Sequence, residues 1–128
     1  MGEQQHTAEL VLGTAQLGFA YGAANRRGQP DEAQARLILR SALNADVAWI
    51  DTAAAYGTSE ARIGAHVPLG SPVRVVTKLN PLDEMHDETP IAEVIRAVDE
   101  SVRRSCHRLR SEKLDALLLH RARHLSWR

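Results

Sequence analysis

Four short apolar runs alternate with segments of helical periodicity along this 128-residue chain, and no other feature constrains its fold as tightly. Leu10 to Gly18 opens as a strand and closes in small and polar residues, and a loop rich in Gly, Asn and Arg follows from Ala20 to Pro30. Beyond Pro30 and Asp31, both suitable openers, Ala35, Ile38, Leu39, Ala42 and Leu43 recur at spacings of three and four, which predicts a helix. Val47 to Thr52 reads as a second strand. Ser59 reads as the cap of a short helix that buries Ile63. Val73 to Leu79, rich in β-branched residues, is the third strand. Thr89 or Pro90 opens a long helix, ending before Lys113, with Ile91, Val94, Ile95, Val98, Val102 and Leu109 on one face. Leu114 to His120 is the fourth strand.

The order β-α-β-α-β-α-β implies parallel pairing, because each crossover needs a covering helix. Nearly all-apolar strands imply a sheet buried on both faces. Pattern alone leaves a Rossmann-like sheet and a (β/α) barrel equally open, and in either one function sits at the C-terminal ends of the strands. No linker or repeat divides the chain. We read residues 1–128 as one domain with a polar segment at 1–9 and an unpatterned tail at 122–128.

Composition narrows the partners. Sixteen basic residues balance sixteen acidic ones, which argues against a nucleic-acid binder. The longest apolar runs, such as Ala116 to Leu119, fall far short of the roughly 20 residues that span a bilayer. The first nine residues lack the layout of a signal peptide. A single cysteine, Cys106, excludes an internal disulfide framework, reads as an inert thiol and fits a reducing compartment. The expectation is a soluble, cytoplasmic chain without a nucleic-acid or membrane partner.

Each strand runs into something chemically informative. The first ends at Gly13-Thr14-Ala15-Gln16, the second runs into Asp51 and on to Tyr56-Gly57, the third reaches Thr77-Lys78, and the fourth reaches His120. A lysine at the end of an apolar strand calls for a partner, since burying its charge alone is costly, and Asp51 on the next strand is the natural one. A free phenol holds its proton firmly at neutral pH, whereas a neighbouring ammonium favours the phenolate and so eases proton release. Asp51 would orient Lys78, and His120 would hydrogen-bond a carbonyl oxygen beside Tyr56. Such a group of four suits carbonyl reduction, with hydride delivered to carbon and the Tyr56 proton to oxygen.

These motifs resemble the aldo-keto reductase family. The resemblance rests on Asp-Thr-Ala-X-X-Tyr-Gly-X-Ser-Glu from Asp51, Thr-Lys at the third strand end and Leu-Leu-His at the fourth, and it extends from about Leu10 to Arg121. The opening Leu-Gly-Thr-Ala-Gln-Leu-Gly, followed by Tyr21-Gly22-Ala23-Ala24-Asn25, is similar to a bacterial branch found near sugar and polysaccharide biosynthesis. The resemblance implies a catalytic tetrad of Asp51, Tyr56, Lys78 and His120, NADPH as hydride donor, and an aldehyde or ketone as the small-molecule substrate. It further implies a cofactor edge at Gly13, Thr14, Ala15 and Asp51, with Thr14 and Ala15 near the nicotinamide. The implied fold is α/β: parallel (β/α) units forming the first half of a TIM (β/α)8 barrel, truncated after the fourth strand.

A whole barrel of this type takes roughly 250 residues. The first and fourth strands are therefore expected to have unpaired edges, and the groups that would grip the cofactor's phosphates belong to the missing half. Three readings follow. One is an aldo-keto reductase half needing its other half. Another is a non-catalytic half-barrel that dimerises or serves as an interaction module, and the third is an aldolase-like enzyme using Lys78 as a Schiff base. His6, His66, His86, His107 and His124 show no metal-ligand spacing, and Arg26-Arg27 read as a solvated loop rather than an anion contact. Asp46 stands where relatives carry glycine, a left-handed position that aspartate tolerates.

Overall fold

The computed structural model describes residues 9–126, so the polar segment at 1–8 (with His6) and the last two residues lie outside the description. Strands β1 (Val11–Gly13), β2 (Trp49–Asp51), β3 (Arg74–Lys78) and β4 (Ala116–Leu118) form one sheet in the order β1-β2-β3-β4. All three pairings are parallel, with Gly13 beside Asp51, Asp51 beside Val76 and Lys78 beside Leu118. Helices α2 (Glu32–Asn44), α3 (Ser59–His66) and α4 (Ile91–Leu109) make the crossovers. Each strand is shorter than the apolar run that predicts it, trimmed at both ends in β2, β3 and β4.

Asp31 caps α2 in a full capping box: its carboxylate accepts from the Gln34 amide, and the Gln34 side chain accepts from the Asp31 amide. Asp46 has a positive φ of 51°, as the substitution of aspartate for glycine there anticipates. Three elements depart from expectation. The segment after β1 turns into one helical turn, α1 (Ala15–Gly18). Thr58, not Ser59, is the N-cap of α3, and Ser59 is buried inside the first turn. Ala122–Ser126 forms a 3-10 helix where the sequence shows no pattern.

The core lies on one side of the sheet only. Ile50 packs with Leu39 and Ala35 of α2, Ile63 of α3, Leu109 of α4 and Leu17 of α1. Residues alternate across a strand, so Leu12, Ile50, Val75 and Thr77 face these helices while Val11, Asp51, Val76, Lys78 and Leu118 face the other way. That second face has no covering layer among the described residues, and Val11 and Leu118 are about half exposed. The expectation of a sheet buried on both faces therefore fails for this chain. The long helix also differs: its buried stripe is Ser101, Ser105 and Leu109, while Ile91 and Ile95 are exposed. The Ser101 hydroxyl accepts from the Asn80 amide just past β3.

Candidate active site

The Asp51 carboxylate at the end of β2 and the Lys78 ammonium at the end of β3 meet at 2.5 Å. Residues in this register share the open face of the sheet, which is why two strands with no sequence contact deliver their charges to one point. Lys78 Nζ also donates to the Thr52 carbonyl at 3.0 Å. It lies 5.1 Å from the centre of the Tyr56 ring, on the electron-rich face. Two of these partners keep the ammonium from being an uncompensated charge, as the sequence chemistry requires.

Tyr56 rides on the loop between β2 and α3. Its ring stands edge-on to His120, 6.2 Å between centroids, and to Phe19 at the same distance. Tyr56 is half-buried, and its hydroxyl has no hydrogen-bond partner among the described residues. His120, just beyond β4, is half-buried, and its Nδ1 is buried without a partner. Burial first, then the ammonium of Lys78 and the Arg121 guanidinium, hold the imidazole below the ordinary histidine value. His120 is thus a neutral ring with a spare polar atom.

The four side chains expected to act together are therefore grouped on one rim. Gly13, at the end of β1, lies on the same open face, and an added Cβ there would meet nothing within 4 Å. Thr14 differs in an informative way. Its hydroxyl and its amide both donate to the Asp51 carbonyl, at 2.8 and 3.0 Å, and the whole residue is 1 % exposed. It fastens β1 to β2 from the buried side, so the residue expected near the nicotinamide lies beneath the rim, with Ala15 half-buried next to it.

Sequence reasoning misses the layer beneath. The Thr52 hydroxyl donates to Ser59, the Ser59 hydroxyl to Thr14, and Thr14 to the carbonyl of Asp51, forming a buried chain of hydroxyls behind the carboxylate. Ser59 therefore braces the strand ends rather than capping a helix. Gly18 and Gly57 are in backbone contact: a Cβ on Gly18 would sit 1.7 Å from the Tyr56 carbonyl, and Gly57 has a φ of 50°. Only glycines allow α1 to press against the Tyr56 loop this closely. The signal was visible as small residues in the motifs, but their partner lay 39 positions away.

A parallel four-stranded sheet with its helices on one face and an Asp-Lys-Tyr-His group at its C-terminal rim has the layout of half a (β/α)8 barrel. The sequence matches the aldo/keto reductase family over residues 9–125, and the chain belongs to that family. Among solved structures it is similar to an aldo-keto reductase assignment from Pseudomonas aeruginosa, at 29% identity and a TM-score of 0.67, covering 90% of this chain and 43% of that one. A structure assigned as a 2,5-diketo-D-gluconic acid reductase B matches at 28% identity and a TM-score of 0.58, covering 87% of this chain and 33% of that one. The fold is shared too with aldo-keto reductase AKR11C1 from Bacillus halodurans, at 24% identity and a TM-score of 0.62, covering 87% of this chain and 35% of that one. No protein with a curated description matches. The chain thus spans less than half the length of the solved relatives it matches. No described helix is long and apolar enough to cross a membrane. The described residues include no cluster of three metal-ligating side chains.

Proposed function

We propose that this chain supplies the reacting half of an NADPH-dependent oxidoreductase that reduces an aldehyde or ketone. The observation that carries the proposal is the grouping of Asp51, Lys78, Tyr56 and His120 on one open rim, with the Tyr56 hydroxyl unengaged. Tyr56 is the general acid. Lys78, held by Asp51 and the Thr52 carbonyl, keeps its ammonium over the ring of Tyr56. His120 orients the substrate oxygen toward that hydroxyl through the ring edge that is not buried. The nicotinamide cofactor, when bound, supplies the hydride to the carbonyl carbon. The open floor at Gly13 fits the edge of a flat ring, with Ala15 and the Asp51 side chain beside it. Groups able to hold the cofactor's phosphates belong to the part of the barrel that lies beyond this sheet.

The Schiff-base alternative fares worse. Lys78 Nζ is committed as a donor to Asp51 and Thr52, whereas nucleophilic attack needs a free lone pair. The open inner face and the two edge strands favour a barrel completed either by further barrel sequence or by a second copy of the chain, and a cytoplasmic setting accords with the reducing chemistry.

Fluorescence titration with NADPH, with the mass in solution recorded alongside, tests whether this half builds a cofactor site. Saturable binding supports the proposal, and a folded chain that binds nothing limits it to a chain with the rest of the barrel present. In that complete context, Tyr56→Phe is expected to lower turnover by about 10²- to 10⁴-fold while leaving cofactor binding intact. Undiminished turnover would remove Tyr56 from the role of general acid.

A further inference from the structure

Glu60 is the one fully buried carboxylate among the described residues, 1 % exposed, and the chemistry above makes no use of it. Burying a carboxylate is costly, and an apolar side chain of similar size would hold the α3–sheet contact at least as well. Its two oxygens are divided between two partners. Oε1 accepts from the Thr77 hydroxyl at 2.7 Å, and Oε2 faces the Arg108 guanidinium of α4 at 3.5 Å. The same Arg108 nitrogen donates to the Ala54 carbonyl at 3.2 Å, and the Ala54 amide donates to the Lys78 carbonyl at 3.0 Å. Lys78 is the residue after Thr77, so these links close into a ring: Glu60, Thr77, Lys78, Ala54, Arg108 and back to Glu60.

We propose that Glu60 and Arg108 are positioning residues that lock the loop bearing Tyr56 to the end of β3. They act from the helix side of the sheet on groups presented by the open side. Thr77 and Lys78 point to opposite faces, so fixing the Thr77 hydroxyl fixes the rotation of the strand about its axis and with it the direction of Lys78. Arg108 fixes the Ala54 peptide, two residues from Tyr56 and two from Thr52, whose carbonyl receives the Lys78 ammonium. The value of this geometry for catalysis rests on the proposed function, whereas the geometry itself can be read without turnover.

The test uses the folded chain labelled with ¹⁵N at backbone and lysine side chains. There are two lysines, Lys78 and Lys113, and an ammonium held by a carboxylate exchanges slowly enough with water to give a signal. The wild-type chain is expected to show a protected Lys78 ammonium. Glu60→Gln keeps an acceptor for Thr77 but loses the pairing with Arg108. It is expected to abolish or shift that signal and to move the Ala54 amide, with Lys113 unchanged. Arg108→Lys, which keeps the charge, is expected to restore part of it relative to Arg108→Gln. Asp31→Ala serves as a control that lowers stability at a remote helix cap without touching the ring. An unchanged Lys78 signal and Ala54 amide in folded Glu60→Gln would overturn the proposal. If Glu60→Gln does not fold, the Arg108→Gln comparison decides on the same two signals. A chain that behaves as expected here yet binds no NADPH separates this inference from the reductase reading.

Discussion

His120 has a lowered proton affinity because burial and the Lys78 ammonium both oppose its charged form. The unfolded chain takes up that proton near the ordinary value of 6.5, and the folded chain only at lower pH. Stability from this group is therefore complete above 6.5 and declines as pH falls through the lowered folded value. Thermal unfolding followed from pH 8 to pH 5 is expected to show this loss on acidification, and His120→Gln to flatten it. A parallel profile in wild type and variant would mean that other groups carry the acid sensitivity. The residues themselves were legible: Asp51, Tyr56, Lys78 and His120 announce their chemistry by type and by position at strand ends. Glu60 and Arg108 were not, since nothing local marks a glutamate in the first turn of a helix as buried.

At the scale of elements, close approach decides what the helices can carry. Gly18 of α1 touches the Tyr56 loop, and Gly64 of α3 lies where a Cβ would meet the Arg108 carbonyl at 2.2 Å. Gly64→Ala must push α3 and α4 apart, and overpacking of this kind costs about 1–3 kcal/mol. Chemical denaturation is the measure, and a change within error would show that α4 shifts freely. Asp31→Ala removes the carboxylate half of the α2 capping box, leaving only the backbone N–H that donates to Gln34, and should lower stability by about 1 kcal/mol in the same experiment. Helix positions were readable because the period of the apolar residues is local. Their buried faces were less so. In α4 the sequence offers isoleucines and valines, yet Ser101, Ser105 and Leu109 are the buried residues, and Ser101 accepts from the Asn80 amide just past β3.

For the whole molecule, the dominant fact is a sheet covered on one face. Leu10 and Val11 at one edge and Leu117, Leu118 and Leu119 at the other are 38% to 66% exposed. Parallel edges with unpaired backbone groups and apolar side chains are templates for further strands. The 128-residue chain in isolation is expected to associate with rising concentration in sedimentation experiments. A double substitution, Val11→Lys with Leu118→Lys, should shift it toward monomer. A wild-type chain that stays strictly monomeric across that range would argue that the edges are less adhesive than their composition implies.

The sequence alone determined the order of elements, the parallel sheet, the cap of α2 and the family, because alternation, capping and strand-end motifs are short-range patterns that survive without any coordinates. Tertiary structure alone decided which atoms meet. The Thr52–Ser59–Thr14 hydroxyl chain, the Gly18–Gly57 contact and the ring through Glu60 and Arg108 each join residues from different elements. Such pairings depend on strand register and helix distance, which are set by the packing of the whole chain, so neither position in the sequence identifies its partner.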